Sequence, residues 1–155
     1  MLLRVGENIA MRGLGGCRFE PANAAWGFDG GDGWSTALAA TWEKGADWPT
    51  IAIGNYIDRK EEISPWGSCT DNWLLRPGLL DGRPQPKFAA PLALKPSYCP
   101  LSMLFTDWNR SGTPGLRISN DREYYKGGAE QLWRIARGLP PALYGEADGW
   151  KTLKI

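Results

Sequence analysis

The chain has 155 residues, and its 18 Lys and Arg face 17 Asp and Glu, for a formal charge of +1. That length suits one ordinary domain, and the charge balance leaves no electrostatic footprint for nucleic acid or an anionic membrane surface. Histidine is absent, so this chain alone supplies no Ser-His-Asp triad, no Cys-His pair and no His-ligated zinc. No apolar run approaches the ~20 residues of a membrane-spanning helix. Nine tryptophans provide aromatic bulk for a core.

Met1 to Glu7 does not read as a signal peptide, because Arg4 interrupts the apolar stretch. The start resembles the middle of a domain, and the chain is expected to be a piece of a longer protein. Asn8-Ile9-Ala10-Met11-Arg12 comes next, followed by glycines and Phe19. Asp29-Gly30-Gly31-Asp32-Gly33 is turn chemistry, too short to cage a cation by itself. Leu38 to Glu43 leads through Gly45 to Thr50-Ile51-Ala52-Ile53-Gly54-Asn55-Tyr56, whose alternation predicts a strand ending in a turn. Asn72-Trp73-Leu74-Leu75-Arg76 repeats the Asn-to-Arg spacing of residues 8–12. Leu101 to Asn109 then leads through Gly112 to a second strand, Leu116 to Asp121.

Tyr125, Ala129, Leu132, Trp133 and Ala136 share a helical face, but Gly127-Gly128 would cost a helix about 2 kcal/mol. A turn followed by a strand over Gln131 to Ile135 is the preferred reading. The Asn-to-Arg anchor recurs there as Glu130 to Arg134. Three cysteines, Cys17, Cys69 and Cys99, show no C-x-x-C spacing, which argues against a zinc knuckle or a thioredoxin-type pair. Cys69 and Cys99 sit in turn-rich polar settings, as disulfide partners in exported proteins do; three unrelated buried thiols are the alternative, and spacing does not decide between them.

Two sets of anchors recur along the chain. Trp42 matches Trp108 at an offset of 66, while Pro49 matches Pro114 and Asn55 matches Asn120 at 65, so the first loop is expected to be one residue longer. The Asn-to-Arg anchors lie 64 and then 58 residues apart. A period near 60 with about four short strands per unit is the mark of a β-propeller blade array. The expected fold is therefore all-β: a partial propeller of two to two-and-a-half four-stranded antiparallel blades. It forms one repeat region over 1–155, with approximate units 8–71, 72–129 and a partial 130–155.

These residues resemble FG-GAP (VCBS-type) repeats, the blades of integrin-α-like propellers. The N-x-L-x-R-N-x-G-x-G-x-F segment of that family is echoed by Asn8 through Phe19. Its D-x-D-x-D-G-x-P-D-L-x-V-S-N segment is echoed more closely by Asp107 through Asn120. The whole chain is similar to bacterial members of the cartilage-acidic-protein-like group, which are exported. The resemblance implies an extracellular or periplasmic binding or adhesion role without naming a ligand. The expected function is a non-enzymatic scaffold recognising an extracellular protein or carbohydrate, with self-association through exposed blade edges. The alternative is a fragment of a propeller enzyme such as a glycosidase, its catalytic residues mostly outside this chain; no carboxylate pair in the sequence marks such a site.

In the matching loop, calcium would meet Asp107, Asn109 and Ser111 as alternate side-chain ligands and the carbonyl of Thr113, around Gly112. Gly115 stands where the family has an aspartate, leaving one formal negative charge. Weakly bound calcium, or none, is the cofactor expectation. The competing reading is a hydrogen-bonded loop in which Asp107 and Asn109 accept backbone N–H groups. Asp121, Tyr124 and Tyr125 lie after a strand end and are candidates for a binding face. The tryptophans are assigned mainly to packing between blades, with a sugar-stacking platform as the competing use.

Overall fold

The computed structural model describes residues 1–61, 68–80, 83–121 and 128–151. The chain is all-β, built from antiparallel sheets, none of them closed. Among the described residues no helix is long and apolar enough to cross a membrane. A hairpin of β1 (Met11–Gly15) and β2 (Arg18–Pro21) opens it, followed by the one-turn helix α1 (Asn23–Trp26). The first four-stranded sheet has the order β3-β4-β5-β8, from β3 (Ser35–Thr41), β4 (Thr50–Asn55), β5 (Asn72–Leu75) and β8 (Leu92–Leu94). A separate hairpin, β6 (Pro77–Leu80) with β7 (Arg83–Phe88), is inserted between β5 and β8. The second four-stranded sheet runs β9 (Pro100–Thr106), β10 (Gly115–Asn120), β11 (Gln131–Arg134) and β12 (Ala142–Leu143) in sequence order.

Side-chain alternation decides which way each sheet faces. All of β4 is buried, yet its two faces serve different cores. Ile51 and Ile53 join Ala10, Phe28, Leu75 and Phe88 on the side of the N-terminal segment. Ala52 joins Leu74, Leu94, Leu116, Ile118 and Trp133 on the side of the second sheet. Small residues on the latter face admit the large side chains of β10 and β11. Gly54 marks the closest approach: a Cβ there would lie 2.8 Å from the Pro100 ring and 3.0 Å from Ala37.

The two sheets match strand for strand. Ile53 pairs with Trp73 and Ile118 with Gln131; Ile51 pairs with Leu75 and Leu116 with Trp133. The offsets are 65 along β4 and β10 and 58 along β5 and β11. At the N-terminus, Leu2 pairs with Ile9 in the same relation. One hydrogen bond accompanies all three pairings. The amide N–H of Arg4 donates to Asn8 (2.9 Å), that of Asn55 to Asn72 (3.0 Å), and that of Asn120 to Glu130 (3.0 Å). The Asn55 and Asn120 side chains also donate alike, to the carbonyls of Asp71 (2.8 Å) and Ala129 (2.7 Å).

The matching corrects one detail of the spacing argument. Thr41 pairs with Thr50 and Thr106 with Gly115, so the loops 42–49 and 107–114 have eight residues each. Trp108 therefore corresponds to Glu43, not to Trp42. Their surroundings differ accordingly. Trp42 is 61% exposed, whereas Trp108 packs edge-on against Tyr144 and Trp150 at 5.4 and 6.3 Å. A bulky aromatic near a strand end satisfies either position, which is why the pair misled. The stretch after Gly128 is a strand, β11, as the two glycines suggest.

One substitution between the sheets leaves a visible mark. Ser35 accepts a hydrogen bond from the Asn8 amide at 2.8 Å and donates to Asn55 Oδ1 at 2.7 Å. The corresponding residue of the second sheet is Pro100, which has neither hydroxyl nor N–H. Asn72 Nδ2 and Asn120 Oδ1, the corresponding atoms, are both buried without a partner. A buried polar atom left so costs about 1–3 kcal/mol. Pro100→Ser is therefore expected to raise the unfolding free energy by about 1 kcal/mol, after loss of the ring's packing and its restriction of the unfolded chain. Pro100→Ala should give no gain; equal urea midpoints for the two variants would contradict the assignment.

Candidate recognition cleft

A cavity of about 430 Å³ lies between the N-terminal segment and the first four-stranded sheet. Its floor is apolar, from Ile53, Trp73 and Leu75, residues of β4 and β5 that face the N-terminal segment. Two loops form its rim. One is Asp29-Gly30-Gly31-Asp32-Gly33, ahead of Trp34; the other is Ile57-Asp58-Arg59-Lys60, beyond β4.

Backbone packing holds the first loop in place. A Cβ on Gly30 would fall 2.2 Å from the Asn8 carbonyl oxygen, so only glycine lets the Asn8 N–H reach the Gly30 carbonyl at 3.0 Å. Asp29 Oδ1 accepts the Gly31 N–H at 2.9 Å, and the Asn8 amide donates to the Gly30 carbonyl at 2.8 Å. The second loop is a turn in which Asp58 Oδ1 accepts the Lys60 N–H at 2.8 Å. Lys60 Nζ then crosses to Asp32 at 2.6 Å, bridging the two loops. Lys60 holds the Asp32 carboxyl below its ordinary range through their hydrogen bond and charge attraction, and Asp32 raises Lys60 in return. Both side chains are more than 70% exposed, so the bridge is a weak strap that solvent competes for. Trp34 stands at the rim, edge-on to Tyr56 at 5.6 Å.

The residues singled out in the sequence fall elsewhere. Asp107, Asn109, Ser111 and Thr113 do share one exposed loop, between β9 and β10. There the Asp107 oxygens accept the N–H groups of Ser111 and Gly112, both at 2.8 Å. Ser111 Oγ donates to the Thr113 carbonyl at 3.3 Å, and Asn109 accepts from the Ser111 N–H at 3.3 Å. These atoms satisfy the loop's own backbone, an arrangement that fits a calcium ion poorly. Among the described residues no three Asp, Glu or Cys side chains converge on one point. Adding calcium at about 1 mM, then excess chelator, is expected to leave the melting temperature unchanged; a rise reversed by chelator would restore the loop as a metal site.

Asp121 accepts a hydrogen bond from the Tyr56 hydroxyl, and its N–H donates to the Cys99 carbonyl at 3.0 Å. It thus helps fasten the second sheet to the first. Tyr124 and Tyr125, its companions in the candidate face, lie outside the described residues. A disulfide joins Cys69 to Cys99, and Cys17 is an exposed free thiol at the tip of the β1–β2 hairpin. Among the tryptophans, Trp26 and Trp48 stack edge-on at 5.3 Å and Trp133 is buried in the core, while Trp34 and Trp73 line the cleft. The signal for the cleft was present only as turn chemistry, since Asp32 and Lys60 are 28 residues apart. No family model matches the chain, and no curated protein or solved structure matches it either.

Proposed function

We propose that the chain is part of an FG-GAP-type β-propeller that serves as a non-enzymatic scaffold for extracellular recognition, its four-stranded sheets being successive blades. One observation carries the reading: the same main-chain to side-chain bond at Arg4, Asn55 and Asn120, each at the same place in the strand pairing. Unrelated sheets would have no reason to share it, whereas copies of one unit inherit it together. The Cys69–Cys99 bond supports an oxidising compartment, outside the cytosol. The cleft between the N-terminal segment and the first sheet is the surface assigned to recognition.

A catalytic reading of the same cleft is less well supported. A glycosidase general acid needs a carboxyl raised toward neutrality, and Lys60 moves Asp32 the other way. An open array of blades also leaves apolar residues at its ends, here Leu2 at 52% and Leu104 at 59% exposure. The expressed chain is therefore expected to self-associate at micromolar concentration on size exclusion. A soluble monomer with one cooperative melting transition would contradict the incomplete-propeller reading.

A further inference from the structure

We infer that the cleft between the N-terminal segment and the first sheet binds a neutral saccharide, a ligand class that rests on the recognition reading above. The cleft is divided into an apolar and a polar layer. At its floor the half-buried indole of Trp73 lies over the buried Ile53 and Leu75, and Trp34 offers a second indole, 36% exposed, at the mouth. Above them lies a polar rim of Asp29, Asp32, Asp58, Arg59 and Lys60. A pyranose ring is divided in the same way. Its C–H faces pack on aromatic rings, and its hydroxyls project sideways as both donors and acceptors.

The rim chemistry separates this class from its competitors. Asp29 and Asp58 each engage one oxygen with a backbone N–H of their own loop, which fixes the carboxylate and leaves its second oxygen to accept from a hydroxyl. Hydrogen bonds to a fixed carboxylate are about twice as strong as neutral ones, which favours a donor-rich ligand. With Asp32 paired to Lys60, the rim keeps Asp29 and Asp58 against Arg59, an excess of negative charge that disfavours an anionic ligand. Arg59 and Lys60 stand beside those carboxylates, so a neutral, hydroxyl-bearing ligand can be met by acceptors and donors together. The cavity volume falls within the range of small-ligand sites, and the glycines at 30 and 33 keep the rim low by packing against Asn8 and Asn55. The Lys60–Asp32 strap spans the mouth, so entry requires it to swing aside, which its exposure permits.

The test is titration of the whole chain with cellohexaose, maltohexaose and chitohexaose, read by tryptophan fluorescence and calorimetry, with polygalacturonate and chitosan as charged comparators. At least one neutral hexasaccharide is expected to bind with Kd below about 1 mM, with the same affinity in about 0.05 and 0.5 M salt. Trp34→Ala should weaken it at least tenfold and Asp58→Asn about threefold to tenfold. Circular dichroism of each variant verifies folding, and Asp58→Asn keeps the loop's acceptor should Trp34→Ala not fold. No neutral binding up to about 10 mM, binding lost in high salt, or binding indifferent to both Trp34 and Asp58 overturns the inference. Release of new reducing ends during the titration would instead sink the non-enzymatic reading and leave the saccharide site standing.

Discussion

Replacing both Cys69 and Cys99 by serine is expected to lower the unfolding free energy by about 3–4 kcal/mol, the loop-closure value for a bond spanning 30 residues. The two cysteines lie beside different sheets. Cys69 bridges to Ile57 in the connection between β4 and β5, while Cys99 is fully buried immediately ahead of β9. The bond thus fixes the second sheet's first strand against the first sheet's loop, beside the Tyr56–Asp121 and Thr36–Pro100 hydrogen bonds that join the same pair of sheets. Urea unfolding with and without reductant measures the effect. A loss under about 1 kcal/mol would mean that the sheets hold together without the covalent tie.

Arg76→Ala is the second large effect, an expected loss of about 3–5 kcal/mol, the usual result of removing one partner from a buried ion pair. Arg76 Nε donates to Glu43 at 2.7 Å, with the two side chains only 17% and 8% exposed. Its other nitrogens donate to the carbonyls of Leu139 and Ala136, both at 2.9 Å, in the turn that follows β11. One guanidinium therefore ties β5 to the second sheet. The Glu43 carboxylate, which also accepts from the Thr50 hydroxyl at 2.6 Å, would be stranded by the change. The pair Glu43→Gln with Arg76→Met should cost clearly less than Arg76→Ala alone, because no buried charge is left unmatched. Equal losses would show that the inter-sheet carbonyl contacts, and not the ion pair, carry the energy.

Arg76 also shows what was legible in the sequence. The Asn-to-Arg spacing marked Arg12, Arg76 and Arg134, and each pairs with a carboxylate: Glu20, Glu43 and Asp148. What the spacing does not reveal is that Arg76 is the most covered of the three, 17% exposed against 55% and 49%, since that cover depends on the second sheet closing over it. Likewise the spacing matches Asn55 with Asn120 and Asn72 with Glu130, and although the last two differ in chemistry, each offers a side-chain oxygen to the equivalent amide. The hairpin of β6 and β7 is not legible as strands, because Pro84 and Pro86 interrupt the pattern. A two-stranded hairpin leaves a free edge on each strand, where a missing N–H disturbs no ladder. The cleft was hidden for a different reason. Turn residues look the same whether they face bulk solvent or a cavity, so Asp29 to Gly33 and Ile57 to Lys60 acquire meaning only when the fold sets them opposite one another.

The shared register of the three strand pairs is tested most directly by long-range NOEs in an isotopically labelled sample. Cross-strand contacts are predicted between Leu2 and Ile9, Ile53 and Trp73, and Ile118 and Gln131 alike. A shift of one residue in any of the three would turn that strand's side chains to the opposite face and contradict the account.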